Sequence, residues 1–230
     1  FDVKTGKIAG AEAVVRYHHK DLGIVNPARY LNLLEETRLS HYLDLYVFEQ
    51  VCKTLHRWDV EGLPMIPVSV NFAGATLRQE SIADKMLHLI EKYHVFCEYL
   101  EVEVSESYTD MNQEMLTETS SKIRKANVRV ILDHFGAKDS SFSILSIMEF
   151  DGLKLDKSLI TNIVGNRRSR IVAKAVIDIC RQLGAYVLAS GVETQDQLNV
   201  LEELGCDYAQ GTLFNKPITI ETFEVRYMKE

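Results

Sequence analysis

The stretch VRVILDHFGAKDSS, from Val128 to Ser141, contains an apolar run that ends on titratable side chains and a glycine loop. Five mostly apolar residues lead into Asp133, and His134, Phe135 and Gly136 follow. A short apolar run of this length is typical of a buried strand. An Asp at its end, before a glycine-containing loop, is a usual position for a metal ligand or acid–base group, although such an Asp also caps turns.

Six further stretches have the same form, in which a short apolar run ends on a polar residue and a helical pattern follows. The seven predicted strands are 8–15, 66–72, 99–104, 128–135, 152–156, 186–193 and 207–214. Their terminal polar residues are Glu12, Asn71, Glu103, Asp133, Lys154, Glu193 and Gln210. Strands separated by amphipathic helices predict parallel pairing, and closure into a barrel brings their carboxyl ends to one rim. Because hard cations prefer oxygen ligands, the pattern predicts a Mg²⁺ or Ca²⁺ site there.

The helical patterns between the strands have recognisable ends. One helix is predicted to open at Pro27 with Asn26 as its cap, and Thr194 and Gly205 are predicted to cap another. The other predicted helices are about 40–58, 76–94, 110–126, 140–148, 167–183 and 194–204, with a short closing helix within 218–230. We interpret Phe1–Val3 as the remnant of an eighth strand.

Composition narrows the class of protein. The 230 residues, with 46% hydrophobic content, suit one large α/β domain close to the roughly 250 residues of a typical barrel. The net charge of −7 argues against bulk binding of DNA or RNA, and no stretch approaches the ~20 apolar residues of a membrane span. The four cysteines lack CxxC spacing, which predicts free thiols in a reducing cytosol. His18 and His19 are interpreted as solvated turn residues.

Some candidate residues keep a structural alternative when each is taken alone. Glu12 is either a buried ligand or an exposed strand-end side chain, and Asn71 is either a ligand or a turn residue. Arg16, four residues after Glu12, either pairs with it or binds a phosphate through its planar guanidinium. In EVEV, the alternation places Glu101 and Glu103 on one face, where two acids require a cation.

Two later strand ends carry further polar groups. Lys154 and Asp156 are two residues apart and share a face, so Asp156 is a candidate partner for the lysine. Ser190 and Glu193 lie at the rim position of the next strand. Each signal is weak alone, but each occupies the same position in successive strand–helix units.

Seven ordered motifs resemble those of the EAL domain, the bacterial cyclic-di-GMP phosphodiesterase family. They are EAV at 12–14, VNF at 70–72, EVSE at 103–106, DHFG at 133–136, KLD at 154–156, GVET at 191–194 and QG at 210–211. The helix text NPARYLNLLEET is also similar to a family segment. The resemblance implies a TIM-type (β/α)₈ barrel, the EAL variant with one antiparallel strand, in which the N-terminal strand is truncated here.

The resemblance also implies a setting for the domain. Residues 1–230 are expected to form a single EAL-like barrel, a fragment of a longer multidomain signalling protein in the bacterial cytoplasm. Its expected partners are cyclic-di-GMP, other domains of the same polypeptide and a second copy in a homodimer. We expect no DNA or RNA partner and no membrane segment in this chain.

The resemblance assigns roles to individual side chains. Glu12, Asn71, Glu103 and Asp133 are implied to hold a first Mg²⁺ or Mn²⁺, and Lys154 to position the attacking water. The position of Ser190 and the site-lining Glu193 are implied to be catalytic, together with Lys154. The remaining implied assignments are Glu106 as the anchor of the metal-site loop and Arg16, Gln210 and Asp156 as ligand-binding residues, of which Gln210 lines the site.

The chain departs from the family at positions that carry the chemistry. His134 replaces the second Asp of the family's DDFG, and a neutral imidazole is a doubtful ligand for a hard second cation. Ser190 replaces the general-base Glu of AEGVE, and a hydroxyl is too weak a base at neutral pH. The loop 136–141 has lost one glycine, and Val14 and Thr212 replace a Leu and a Tyr.

These departures predict a degenerate EAL domain that is catalytically impaired and acts as a nucleotide-binding or regulatory module. Its Mg²⁺ or Mn²⁺ sites are expected to be lost or reduced to one. The alternative is an active metal-dependent phosphodiesterase that hydrolyses cyclic-di-GMP to linear pGpG, with His134 as a metal ligand. A third interpretation is an interaction scaffold that binds neither metal nor nucleotide.

Overall fold

A computed structural model of the chain describes residues 1–25, 27–105, 113–137 and 142–229. The strands in these ranges are β1 (Ala11–Ala13), β2 (Tyr17–His19), β3 (Gly23–Val25), β4 (Val68–Phe72), β5 (Leu100–Ser105), β6 (Arg129–Phe135), β7 (Gly152–Leu155), β8 (Tyr186–Ser190) and β9 (Tyr208–Gln210). The helices are α1 (Pro27–Glu36), α2 (Ser40–Glu61), α3 (Gly74–Leu77), α4 (Ile82–Lys92), α5 (Gln113–Lys125), α6 (Ile144–Ile147), α7 (Lys157–Thr161), α8 (Arg167–Leu183), α9 (Gln195–Leu204) and α10 (Ile220–Tyr227).

The main sheet contains seven strands in the order β1-β4-β5-β6-β7-β8-β9, and all neighbours are parallel. Helices connect successive strands, as parallel pairing requires. The strands are rich in buried apolar residues, and all four residues of β7 are buried. Each of the seven predicted strands therefore exists, and the predicted parallel arrangement is confirmed.

The sheet curls until its first and last strands approach each other. The side-chain amide of Gln210 on β9 donates to the Glu12 carboxylate on β1 at 2.7 Å. Phe1–Val3 runs antiparallel along β9, with an Asp2–Tyr208 bridge and a backbone hydrogen bond from Val3 to Asp207 at 3.0 Å. The predicted TIM-type barrel with one antiparallel segment is confirmed, and Phe1–Val3 occupies that antiparallel position.

Helix ends agree with the sequence signals where local chemistry sets them. Helix α8 has the predicted bounds of 167–183. Thr194 and Gln197 form a reciprocal capping box at the start of α9, and Gly205 ends that helix in the left-handed conformation. Pro27 opens α1 as predicted, whereas Asn26 lies outside the described residues.

Other predicted boundaries were wrong because tertiary contacts decide them. The helix predicted over 76–94 is divided into α3 and α4, and Asp44 of α2 holds the start of α3 by accepting from Ala73 N at 3.0 Å and Thr76 Oγ1 at 2.5 Å. The hairpin β2–β3 and helix α7 were not predicted. In the hairpin turn, His19 Nδ1 accepts from the backbone N–H groups of Asp21 and Leu22.

Two predictions from composition can be compared directly with the structure. All four cysteines, at positions 52, 97, 180 and 206, are free. Among the described residues, none of the helices has the length and apolar character needed to cross a bilayer.

Candidate active site at the carboxyl ends of the strands

A buried ammonium group lies at the centre of the predicted site. Lys154 Nζ on β7 donates to Glu12 Oε2 on β1 at 2.7 Å and to Glu103 Oε2 on β5 at 2.8 Å. The Lys154 side chain is only 5% exposed. Burial alone would lower the pKa of Lys154, but the charges of Glu103 and Glu12 outweigh burial and raise it. Lys154 is therefore a permanent cation that joins three strands across the barrel.

Glu12 receives donors from three directions. Its Oε2 accepts from Lys154 Nζ and from Gln210 Nε2, both at 2.7 Å, and its Oε1 accepts from Asn71 Nδ2 at 2.7 Å. Burial raises the pKa of Glu12, but the Lys154 charge and these hydrogen bonds outweigh it, so that the net pKa is lowered. The predicted convergence of residues 12, 71, 154 and 210 is present in the structure, although Arg16 does not act as the partner of Glu12: its Nη1 donates to the Val15 carbonyl at 2.8 Å.

Glu103 is the most buried carboxylate of the cluster. It is 4% exposed, and its Oε1 accepts a 2.6 Å hydrogen bond from Ser69 Oγ. Burial raises the pKa of Glu103 to about 7, against the lowering effect of Lys154 and with added repulsion from Glu12 and Asp133. Ser69 was not among the predicted site residues, yet strand alternation gives a signal for it, because it lies two residues before Asn71 and shares its face.

Asp133 and His134 form a local pair at the end of β6. Asp133 Oδ1 accepts from the His134 backbone N–H at 2.7 Å, and Asp133 Oδ2 pairs with His134 Nδ1 at 2.8 Å. The pairing with Asp133 raises the pKa of His134, and the same contacts outweigh burial and lower the pKa of Asp133. The imidazole is 58% exposed, and His134 adopts a left-handed φ of 61°. His134 therefore contacts the predicted ligand Asp133 itself.

The remaining rim residues have mostly local partners. Glu193 forms an exposed ion pair with Lys157 Nζ at 2.5 Å, and Ser190 lies at the end of β8. Asp156 is not the partner of Lys154: its Oδ1 accepts from Ser158 N and caps α7. Because β7 ends at Leu155, the alternation that suggested a shared face does not continue to Asp156. Glu106 and the loop residues 138–141 lie outside the described residues.

A second polar layer lies nearer the amino ends of the strands. Glu101 and Glu103 both line the barrel interior, as the alternation in EVEV predicts. The cation for Glu101 is the guanidinium of Arg129, at 3.0 Å, and burial together with Glu101 raises the pKa of Tyr186. Glu101 is therefore neutralised within the protein, and only Glu103 contributes to the cluster at the rim.

A cavity of about 360 Å³ adjoins the cluster between β1, β4, α1 and α2. This volume is within the usual range of ligand pockets, about 300–1,000 Å³. Its lining is mainly apolar, and its polar residues are Arg16, Glu35, Ser40, Asp44, Asn71 and His134. Three of the predicted site residues, Arg16, Asn71 and His134, therefore border this pocket.

The donor chemistry fits one hard divalent cation better than two. Carboxylate oxygens of Glu12, Glu103 and Asp133 and the amide oxygen of Asn71 are the ligand types that Mg²⁺ or Mn²⁺ prefers. Within the described ranges no three His, Cys, Asp or Glu side chains are arranged to hold a metal ion as they stand. Binding of a cation would therefore require these carboxylates to move away from the hydrogen-bond donors that they contact in this structure. Residue 134 is an imidazole paired to Asp133 and residue 190 is a serine, so neither side chain offers a carboxylate to a further cation.

Comparison with known proteins identifies related domains. The sequence model of the EAL domain family matches residues 1–217. The chain is 31% identical over 219 residues to the cyclic di-GMP phosphodiesterase NbdA and 29% identical over 223 residues to the cyclic di-GMP phosphodiesterase PA2567, both of Pseudomonas aeruginosa. These matches cover 95% and 97% of the chain but only 28% and 38% of the two relatives.

A solved structure agrees with the fold. The EAL enzyme Bd1971, in a form with cAMP and cyclic-di-GMP bound, superposes with a TM-score of 0.91 at 22% identity. The match covers 98% of this chain and 62% of that one. At this identity the likeness supports the barrel architecture and not the chemistry of individual side chains.

The buried position of Lys154 leads to a stability prediction. In Lys154→Met the volume is nearly kept, but Glu12 and Glu103 lose their shared cation, so the free energy of unfolding at pH 7 should fall by about 3–5 kcal/mol. In the control Lys157→Met, only an exposed ion pair is lost, and the change should stay below about 1 kcal/mol. Chemical denaturation monitored by circular dichroism measures both values.

The pH dependence of the same variant gives a second test. Glu103 has a folded pKa of about 7, above its ordinary 4.5, so the folded state binds the extra proton and gains stability as pH falls through that window. Without Lys154 the pKa of Glu103 rises further, and the pKa of Glu12, which the lysine lowers in the unaltered protein, rises too. The deficit of Lys154→Met should therefore be largest above pH 7 and shrink as the pH falls through these raised values. A deficit equal to that of Lys157→Met, or one that is constant with pH, would contradict the central role of Lys154.

Proposed function

Because the chain belongs to the EAL domain family, we propose that it acts in cyclic-di-GMP signalling as a nucleotide-binding or regulatory domain with impaired hydrolysis. The observation that carries the proposal is the retained cluster in which Lys154 joins Glu12 and Glu103 at the rim. The names of the relatives and the bound nucleotide of the Bd1971 structure support the class of ligand.

The binding half of the site supports recognition of a phosphodiester. Lys154, Asn71 and Gln210 fix the Glu12 carboxylate, and Arg16 lines the adjoining cavity with its guanidinium exposed. A planar guanidinium matches two phosphate oxygens at once. A divalent cation held by residues 12, 71, 103 and 133 would supply a Lewis acid for the phosphate and an acidified water. The chain's own residues would position the ligand around that cation.

The hydrolytic half of the site supports impairment. The position of the family's general base is Ser190, and Glu193, the carboxylate three residues further along the chain, is in an ion pair with Lys157. Loss of a general base typically costs about 10²–10⁴ in rate. His134 contacts Asp133 in place of a second acid, which removes a negative charge from the position where a second cation would be held. Both changes affect the same step, so their costs need not multiply.

The second candidate function is a slow phosphodiesterase that converts cyclic-di-GMP to linear pGpG. The observation that favours it is the intact environment of Lys154, the residue implied to position the attacking water. Product formation with Mn²⁺ that disappears in Glu12→Ala would establish this activity.

Calorimetry tests the binding proposal directly. Titration of cyclic-di-GMP in the presence of Mg²⁺ should give a saturable heat, and removal of Mg²⁺ with a chelator should weaken binding. Glu12→Ala should weaken binding by at least about tenfold, because it removes the acceptor shared by three donors. The control Glu149→Ala removes an 81% exposed carboxylate outside the cluster, where it pairs with Arg124, and should bind as the unaltered protein does. No heat up to high micromolar ligand would rule out the receptor function.

Restoring the two lost acids tests the cause of impairment. His134→Asp with Ser190→Glu should raise the rate of hydrolysis of cyclic-di-GMP more than either single change. The first change adds a ligand for a cation that acidifies the attacking water, and the second adds the base that takes the proton from that water, so each change is effective only with the other. Product formation by the double variant and both single variants is measured by chromatography. A double variant that folds and binds Mg²⁺ and nucleotide, yet hydrolyses no faster than the starting protein, would place the defect elsewhere in the pocket.

A further inference from the structure

Ser69 lines the interior of the barrel and is hydrogen-bonded to Glu103, one of the carboxylates of the cluster. The residue is 5% exposed and occupies the second position of β4. Its hydroxyl donates to Glu103 Oε1 at 2.6 Å, and the Ala11 carbonyl is the more distant acceptor at 3.5 Å. A hydroxyl has one proton to donate, and the shorter contact to the charged group is the stronger of the two. The Ser69 proton is therefore directed at Glu103.

The two oxygens of Glu103 have different donors from different strands. Oε1 accepts from Ser69 on β4, and Oε2 accepts from Lys154 on β7. The lysine alone does not define the carboxylate plane, because its ammonium is a point charge on a flexible stem and also binds Glu12. The second donor on the opposite oxygen fixes the rotation of the carboxylate.

We propose that Ser69 is a positioning residue for the cation and nucleotide site, an inference that rests on the proposed function. It holds Glu103 Oε1 so that Oε2 faces Lys154 and the interior of the cluster. The Ser69 hydroxyl uses its proton on Glu103 Oε1, so Ser69 acts through Glu103 and not as a ligand. Partners that orient metal ligands typically contribute 10- to 100-fold to metal affinity.

The chain offers a matched control and a conservative rescue. Ser120 on α5 is also buried, at 3% exposure, and its hydroxyl contacts only the weak acceptor Met148 Sδ at 3.9 Å. Ser120→Ala therefore deletes a buried hydroxyl outside the cluster. Ser69→Thr keeps the hydroxyl and adds one methyl group on a residue that lines the interior cavity of about 140 Å³.

The experiment measures binding of Mn²⁺, and of cyclic-di-GMP in its presence, by calorimetry. Ser69→Ala should bind Mn²⁺ about 10- to 100-fold more weakly, Ser120→Ala should stay within about twofold of the unaltered protein, and Ser69→Thr should recover most of the affinity. If the unaltered protein binds and Ser69→Ala binds equally well, or if Ser120→Ala loses as much, Ser69 is not a positioning residue.

A double-mutant cycle separates this inference from the proposed function. The denaturation midpoints of Ser69→Ala, Glu103→Met and the double variant are compared with that of the unaltered protein, since methionine removes the oxygen that accepts from Ser69. Shifts of the denaturation midpoint that are not additive support a stabilising interaction between Ser69 and Glu103, and additive shifts overturn it. This result does not depend on whether any ligand binds. Failure of the unaltered protein to bind Mn²⁺ and cyclic-di-GMP would overturn the proposed function alone, and the cycle would still decide the role of Ser69.

Discussion

The charge balance around the Lys154 ammonium is the interaction on which the rest of the site depends. The half-buried Glu12 and the buried Glu103 come from strands separated in sequence, and their carboxylates share this one cation at 2.7 and 2.8 Å. Burial of an uncompensated charge costs several kcal/mol, so each group is stable in this position only while the others remain. The same contacts join β1, β5 and β7 through the barrel interior. The residues that give the site its chemistry therefore also hold together the strands that carry them.

The altered positions lie around this cluster and not within it. His134 is exposed and Ser190 is half-buried, and both lie at strand ends where the proposed function requires acids for efficient hydrolysis. An exposed acid can be lost at small cost to stability, whereas a change at Lys154 or Glu103 leaves a buried charge unpaired. This difference gives a physical reason why, under the proposed function, a binding site could be kept without efficient hydrolysis. The imidazole of His134 is stabilised at this exposed position by its pairing with the adjacent Asp133.

The sequence predicted those features that local chemistry decides. Apolar runs with polar ends located the seven strands, and the Thr194 capping box and Gly205 fixed α9. It did not predict contacts that depend on where distant strands come to lie. Asp156 was a plausible partner for Lys154 by spacing, but the strand ends before it and the true partners are 142 and 51 residues away in the chain. Strand alternation places Ser69 on the same face as Asn71, but only the structure shows that Glu103 on the neighbouring strand accepts a hydrogen bond from it.

A crystal structure of the protein with cyclic-di-GMP and Mn²⁺, with data recorded at the manganese absorption edge, tests most directly whether the cluster around Lys154 forms the cation and nucleotide site. Anomalous scattering locates the metal independently of the ligand density. We expect one manganese peak among Glu12, Asn71, Glu103 and Asp133, a nucleotide phosphate beside it, and Lys154 still in contact with at least one of the two glutamates. Two manganese peaks, or a nucleotide bound away from these residues with no metal among them, would contradict it.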